Sequence, residues 1–434
     1  MMTDRIWTTE LRAHTGERVV LAGWLQRVRR LSHVTFLVLR DGQGTAQVMF
    51  APGPLADELA ALPAETVLTV TGRVVAAEQA PGGVELHAEA FDVLSLAEQP
   101  PLELFRPTIP AHLPTILDHA PVALRHVRQR AIFRLAAAAT EGFRATLRAR
   151  HFIEVQTPKI VGAATEGGAN VFKLDYFGRP AYLAQSPQLY KQMLVGVFER
   201  VFEVGPAFRA EPHDTPRHIN AFTSLDVEQG FIQDHRDVMA TLEAVLRGII
   251  AQMHHEAADA LALLKVELPA MPAPLPSLTF QEALEWLSEQ TGEDLRGELD
   301  LAPAHERMLG EWALKQHGSD FLFVTGYPTA QRAFYTAPSP EDPAYSNAFD
   351  LIFRGVELVS GGQRLHRSAD YLAVLERRGM PVESFSGYLE AFRHGMPPHG
   401  GFAIGLERLI ARLCGLPNIR EATLFPRDLT RLGP

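Results

Sequence analysis

The stretch from Ala184 to Phe231 constrains this chain most. It opens with Ala184-Gln-Ser-Pro-Gln-Leu-Tyr-Lys191-Gln, runs through the apolar-rich Val201-Phe-Glu-Val-Gly-Pro-Ala-Phe208, and closes on Arg217-His-Ile-Asn-Ala-Phe-Thr-Ser-Leu-Asp226. The pattern is strand, loop, strand. Its alternation is broken by Arg209, Glu211, His213, Arg217 and His218, which predicts a polar pocket between two core strands. Arginines supply planar, permanently charged forks suited to phosphate, so the pocket is expected to take a nucleotide triphosphate beside a small acidic substrate.

The totals bound the rest. A chain of 434 residues with 46% hydrophobic residues has room for two or three domains. No run approaches the ~18 apolar residues of a membrane span, and the first residues lack a signal-peptide apolar region. A single cysteine, Cys414, excludes an internal disulfide and reads as a buried small hydrophobe. A cytoplasmic, reducing setting is therefore expected. Net charge of −10 argues against bulk nucleic-acid binding, so such a partner needs a local basic patch. Only five of the 41 basic residues are lysines, which makes Lys191 conspicuous.

Five β-rich runs fill residues 18–94, with a helical piece (Pro54 to Leu62) after the third. That order matches an OB-fold barrel, and residues 1–98 are assigned to it. Arg29 and Phe36 lie on the strands such barrels use for nucleic acid, although an arginine-rich solvated face is the alternative. Residues 99–124, rich in proline, read as a hinge. Residues 125–434 form a second domain of α+β character, beginning with a long amphipathic helix and ending with Gly401-Phe-Ala-Ile-Gly405 running into another. Residues 279–317 read as two helices without legible chemistry. Within this domain Arg209 and Arg408 could clamp one triphosphate, while Asp350 and Glu357 suit Mg²⁺. Lys191 and Arg364 could hold an acidic side chain. Taken singly each has a bland alternative, such as Arg408 pairing with Glu407 on a helix surface.

Taken together the motifs resemble the class II aminoacyl-tRNA synthetases, in particular the archaeal-type aspartyl group. The segment ending Thr157-Pro158 resembles motif 1, Phe208-Arg-Ala-Glu211 with Arg217, His218 and Phe222 resembles motif 2, and Gly401 to Arg408 resembles motif 3. The resemblance covers nearly the whole chain. It implies an OB-fold anticodon-binding domain and a catalytic domain built on an antiparallel sheet flanked by helices. It also implies ATP and Mg²⁺, tRNA-Asp as partner and a homodimer.

Residue by residue, the resemblance puts Arg209 on the α-phosphate, His218 and Arg408 on the γ-phosphate, and Phe222 against adenine. Glu211, Arg217 and Gly405 complete the ATP set. Glu357, Asp350 and Ser360 would hold the metal. Glu166 and Asp226 would receive the substrate ammonium, Gln188 would orient the substrate, and Ser360 would lie close to it. Lys191 and Arg364 would hold its side-chain carboxylate. Arg29, Phe36 and Gln47 would read the anticodon, and Pro81 with Gln26 points to a member that also charges tRNA-Asn. Departures are Ala403 in place of a glycine, Pro212 in place of a glutamate and Val359 in place of a serine.

Three rivals remain at this stage. The asparaginyl enzymes share the barrel and Arg364 but lack the lysine; burying Lys191 without a carboxylate partner would cost several kcal/mol. An ammonia-dependent asparagine synthetase lacks the barrel. A non-catalytic RNA-binding module leaves Arg209, Arg408 and Glu357 unexplained.

Overall fold

A computed structural model describes residues 5–162 and 170–433. The chain divides at Val127 into two compact units. In the first, β1 (Arg18–Arg30), β2 (Thr35–Arg40), β3 (Thr45–Phe50), β4 (Val67–Ala76) and β5 (Val84–Ser95) close a barrel in the order β1-β2-β3-β5-β4, with α1 (Pro54–Ala60) between β3 and β4. Alternate residues Leu37, Leu39, Val48, Phe50, Val70 and Leu86 fill its interior, while Phe36, Val38 and Gln47 face outward. A bulge between Leu25 and Arg27 leaves Gln26 as the extra residue of β1.

The proline-rich segment packs within this unit. It contains α2 (Leu113–Asp118) and α3 (Ala120–Ala123). Leu102, Leu104 and Ala123 form a small core of their own, and Arg27 lies over the Phe105 ring at 5.1 Å. Buried Glu65 pairs with Arg40 at 2.6 Å and with Arg125 at 3.0 Å. The prolines set the chain's direction, and these contacts hold it.

The second unit is built on a sheet in the order β12-β13-β14-β15-β16-β11-β10-β6. Its strands are β6 (Ile153–Glu154), β10 (Arg200–Phe208), β11 (Ala221–Gly230), β12 (Ser277–Thr279), β13 (Phe321–Thr325), β14 (Ala348–Phe353), β15 (Val356–Gln363) and β16 (His399–Gly405). A small sheet of β7 (Ile160–Val161), β8 (Lys173–Tyr176) and β9 (Arg179–Leu183) accompanies it. Period-two alternation gives the main sheet two faces of different chemistry. Phe202, Leu225, Val227, Phe349, Leu351, Phe402 and Ile404 pack in one core with residues of α4 (Val127–Ala149) and α6 (His235–Glu256). These two helices cross so closely that a Cβ on Gly248 would lie 1.8 Å from Thr146 Oγ1.

The opposite face carries Phe222, Ser224, Asp226 and Glu228 at successive alternate positions of β11. Over this face lie α5 (Gln188–Phe198) and, towards β12–β15, α8 (Phe280–Thr291) and α9 (Pro303–His317). The remaining helices are α7 (Ala258–Leu264), α10 (Ser368–Arg377), α11 (Ser386–Arg393) and α12 (Leu406–Leu413). Cys414, at the end of α12, is half-buried against the main core, and burial pushes its thiol up to about 11. Among the described residues, no helix is long and apolar enough to cross a membrane.

Candidate active site

Above β11, β15 and β16 lies a cleft of about 840 Å³, its open mouth included. Arg209, Glu211, Arg217, His218, Phe222, Glu357, Ser360, Gly405 and Arg408 all line it. The sheet explains their convergence. Arg209 and Phe222 leave the two arms of the β10–β11 hairpin, where Ala207 pairs with Phe222. The Arg209 guanidinium sits 5.4 Å from the Phe222 ring, and its backbone is held by Asn220 through N···O bonds of 2.9 and 2.7 Å. Burial lowers the His218 pKa, with Glu211 opposing, and His213, Arg408 and Arg217 reinforce the shift. His218 Nδ1 lies 2.6 Å from Thr215 Oγ1.

A bulge brings Glu357 to the cleft. Leu351 pairs with Val359, but the next residue, Ile352, pairs with Glu357, so one residue of β15 is skipped. Without that skip Glu357 would point to the opposite face; with it, the side chain joins Asp350 and Ser360. Burial and the neighbouring Asp350 raise its carboxyl to about 8, against Arg408. Its backbone is fixed at both ends: the N–H donates to Glu306 Oε2 at 2.8 Å, and the carbonyl accepts from Arg408 Nη1 at 3.1 Å.

Asp350 does not face an open cation position. Arg332 grips it through bonds of 3.1 and 2.7 Å and donates a third, at 3.1 Å, to Ser360 Oγ. The same guanidinium lies 3.9 Å from the Tyr327 ring. Burial opposes the charge on Arg332, yet Asp350 outweighs it and raises the pKa. The expected metal set is thus divided. Glu357, a half-buried carboxylate facing the cleft beside Asp350, fits a divalent cation, whereas Asp350 and Ser360 already have Arg332 as their counterpart. Among the described residues, no group of three or more His, Cys, Asp or Glu is placed to hold a metal ion by itself.

Further along β11 the charges are buried. Lys191 reaches from α5 to donate to Asp226 Oδ1 at 2.9 Å, Phe402 O at 3.2 Å and Val227 O at 3.3 Å. Glu228 stands 3.4 Å from Lys191 and accepts from Arg364 at 2.9 and 3.3 Å. The glycine at 401 makes this possible, because a Cβ there would lie 2.2 Å from the Glu228 carboxylate. Burial penalises the Glu228 charge, but Arg364 and Lys191 outweigh it and lower its pKa. Ser224, a cleft residue, donates to Asp226 at 2.5 Å and joins the two regions.

This quartet corrects the argument from Lys191. The lysine is buried, at 2% exposure, but Asp226 and Glu228 supply its countercharge. Its burial alone therefore does not demand an acidic substrate. The local sequence concealed this because the Glu228 partner Arg364 lies 136 residues away.

Behind the quartet, Gln188 donates to Gln192 at 3.0 Å, and Gln192 contacts Tyr371 and His399, each at 3.1 Å. Burial drives the His399 pKa down to about 4, despite Glu228. Glu166 lies outside the described residues. Thr157, of the motif 1 segment, is bonded to Glu203 on β10 at 2.7 Å, and Lys159 pairs with the same carboxylate at 2.7 Å.

In the barrel unit, Arg29 lies 5.9 Å from the Phe36 ring and 3.4 Å from Gln47 Oε1. Gln47 donates to Glu85 at 2.8 Å, and Glu85 contacts His87 at 3.0 Å. Glu85 and His87 are thus additions to that face. Pro81 is exposed in the turn between β4 and β5.

With the geometry in place, comparison with known proteins settles the family. A model of class II tRNA synthetases (D, K and N) matches residues 113–429, and an OB-fold nucleic-acid-binding domain matches residues 19–94. The chain belongs to the class II tRNA synthetases. It is 47% identical to an aspartate–tRNA(Asp/Asn) ligase of Thermus thermophilus, over 99% of this chain and all of that protein. It is 41% identical to an aspartate–tRNA(Asp) ligase of Thermoplasma volcanium, with 99% and 100% covered. A crystal structure of asparaginyl-tRNA synthetase from Pyrococcus horikoshii with asparaginyl-adenylate superposes over all of both chains, with a TM-score of 0.92 and 30% identity.

Of the residues sequence reasoning missed, Glu228 extends the alternation from Phe222 through Asp226, a signal that could have found it. Glu306 and Arg332 had no local signal. They enter the site only because α9 and the segment before β14 cover the sheet.

Proposed function

We propose that this chain is an aspartate–tRNA ligase that activates L-aspartate with ATP and charges both tRNA-Asp and tRNA-Asn. The carrying observation is a cationic cleft continuing along one strand into a buried Lys191–Asp226 pair. Aspartate can enter that pair by exchange. Its ammonium takes Asp226 and its side-chain carboxylate takes Lys191, so one internal ion pair is replaced by two with the substrate. Charge balance is preserved, and the desolvation cost of Lys191 is already met within the fold.

In the cleft, Arg209 meets the α-phosphate and Arg408 with His218 the γ-phosphate, while Phe222 offers a ring to adenine. Neutralising phosphate charge lets the substrate carboxylate attack the α-phosphorus and expel pyrophosphate; the terminal ribose hydroxyl of tRNA then attacks the adenylate's carbonyl carbon, and the bond to phosphate breaks to release AMP, whose phosphate can take the hydroxyl proton. Glu357 would hold Mg²⁺ arriving with the triphosphate, and the ion would supply further charge neutralisation. Arg332 is the resident countercharge for Asp350 and Ser360. No protein base is required.

The barrel face of Arg29, Phe36 and Gln47 fits single-stranded bases, which stack on aromatic rings and bond along their edges. Exposed Pro81 and Gln26 at the bulge of β1 support acceptance of both tRNAs. A homodimer is supported by Ile153 on the edge strand β6, together with Phe198 and Phe231, all exposed. The enzyme is assigned to the cytoplasm.

ATP–pyrophosphate exchange with aspartate and asparagine offered separately tests the amino acid. Exchange driven by asparagine and not aspartate overturns the reading in favour of the asparaginyl rival, which the self-neutralised quartet keeps in contention. Charging of purified tRNA-Asp and tRNA-Asn with aspartate tests the second half; no aspartyl-tRNA-Asn above background limits the enzyme to tRNA-Asp.

A further inference from the structure

The β10–β11 loop that carries Arg217 and His218 is tied to the C-terminal segment through one buried side chain. Arg420, 7% exposed, uses every nitrogen of its guanidinium. Nε donates to Asp428 Oδ2 at 2.5 Å, Nη1 to Thr215 O at 3.2 Å and Asn418 Oδ1 at 3.4 Å, and Nη2 to Asp214 Oδ1 at 2.7 Å. The backbone repeats the connection: Ile419 N–H donates to Pro216 O at 2.9 Å, and Asn220 N–H to Arg427 O at 2.8 Å. Asp428 is held on its other side by Thr430 and Arg431. Although burial raises its pKa, the bonds from Arg420, Thr430 and Arg431 win and bring it to about 2. It is therefore a permanent anchor for Arg420.

We infer that Arg420 is a positioning residue for ATP, acting through Thr215 and Asp214 to hold His218 and Arg217 over the triphosphate end of the cleft. The physical reason is the loop's own composition. Residues 212–216 are Pro-His-Asp-Thr-Pro, with no strand or helix to hold them. Thr215 is the pivot: its hydroxyl contacts His218 Nδ1 while its carbonyl receives both Arg420 and the His218 N–H. An untethered loop would have to be ordered by ATP itself, which reduces apparent affinity in proportion to the fraction of loops correctly placed. Charged multidentate bonds from a buried arginine hold one loop conformation in advance.

The inference rests on the proposed ATP-dependent activation, so its test has one arm that needs no activity. Three variants are compared with the unaltered protein: Arg420→Met, Asp214→Asn and the two combined. Asp214 is 60% exposed on its side chain, so its variant keeps the fold even where loss of Arg420 lowers stability. In ATP–pyrophosphate exchange, Arg420→Met should raise KM for ATP about tenfold and Asp214→Asn about threefold, with kcat and the KM for aspartate changed less than about twofold. The combined variant should match Arg420→Met, since Asp214 has then already lost its partner. Amide hydrogen exchange over residues 212–220 should quicken in all three. Quickened amides with an unaltered protein inactive in exchange would leave the tether standing and overturn the proposed activity. Unchanged loop amides, an unchanged KM for ATP, or equal rises in KM for ATP and aspartate would each overturn the positioning role.

Discussion

The two ends of β11 manage charge in opposite ways. At the Phe222 end, Arg209, Arg217 and Arg408 face a cleft, and among the described residues none of them makes an ion pair with a carboxylate. At the Glu228 end, Lys191, Asp226, Glu228 and Arg364 are buried and neutralise one another. The first arrangement keeps cations available for a ligand that brings its own negative charge. The second makes the charges part of the fold, where a lost partner leaves an uncompensated buried ion. Substitutions at the two ends should therefore have different signatures.

The largest effect is expected from Arg364→Leu, which strands Glu228 at 0% exposure. Loss of about 3–5 kcal/mol of stability should appear in thermal or denaturant unfolding, with activity abolished. Lys191→Met should behave similarly, and adding Asp226→Asn should recover much of the stability but none of the aspartate activation. A Lys191→Met protein as stable as the original would break the comparison, because the pair would then belong to the substrate and not to the fold.

His399 sharpens the contrast through pH. Its Nδ1 sits 2.9 Å from Pro397 O and its Nε2 3.1 Å from Gln192, an arrangement that suits the neutral ring. Its folded pKa is lowered from 6.5 to about 4. Between those values the unfolded chain binds a proton that the folded chain refuses, so the His399 contribution to stability is lost as pH drops through that window and is constant above it. The full effect is about 3 kcal/mol. His399→Gln should flatten that part of the stability curve, measured by urea unfolding at pH 7 and pH 5.

At the open end, Arg209→Ala should lower kcat for ATP–pyrophosphate exchange about a hundredfold. Its unfolding midpoint should stay close to that of the parent. A stability loss as large as that of Arg364→Leu would erase the distinction between the ends. The smallest effect is expected in the barrel. Phe36→Ala should weaken tRNA binding by about 1–3 kcal/mol, read by filter binding, without altering exchange in the absence of tRNA.

Much of this is legible in the chain itself. The five barrel strands with a helix after the third, the polar interruption between β10 and β11, and the glycine-rich run into α12 are local patterns set by side-chain period and backbone permissiveness. The nine residues that the family resemblance grouped around a triphosphate and its metal do line one cleft. The charge states at that cleft were not legible. Glu357 faces its partners only because a residue of β15 is skipped, and Arg332 reaches Asp350 of β14 from 18 residues earlier in the chain.

Lys191 shows the division most clearly. From sequence it stood out as a rare lysine in an arginine-rich chain, expected to hold the carboxylate of an acidic substrate. Only tertiary structure decided whose carboxylate it meets first, since α5 brings Lys191 over Asp226 and Glu228 of β11, and Arg364 arrives just after β15. Local pattern determines which face of a strand a charge occupies. What neutralises that charge depends on chain segments far apart in sequence, and is settled when they pack.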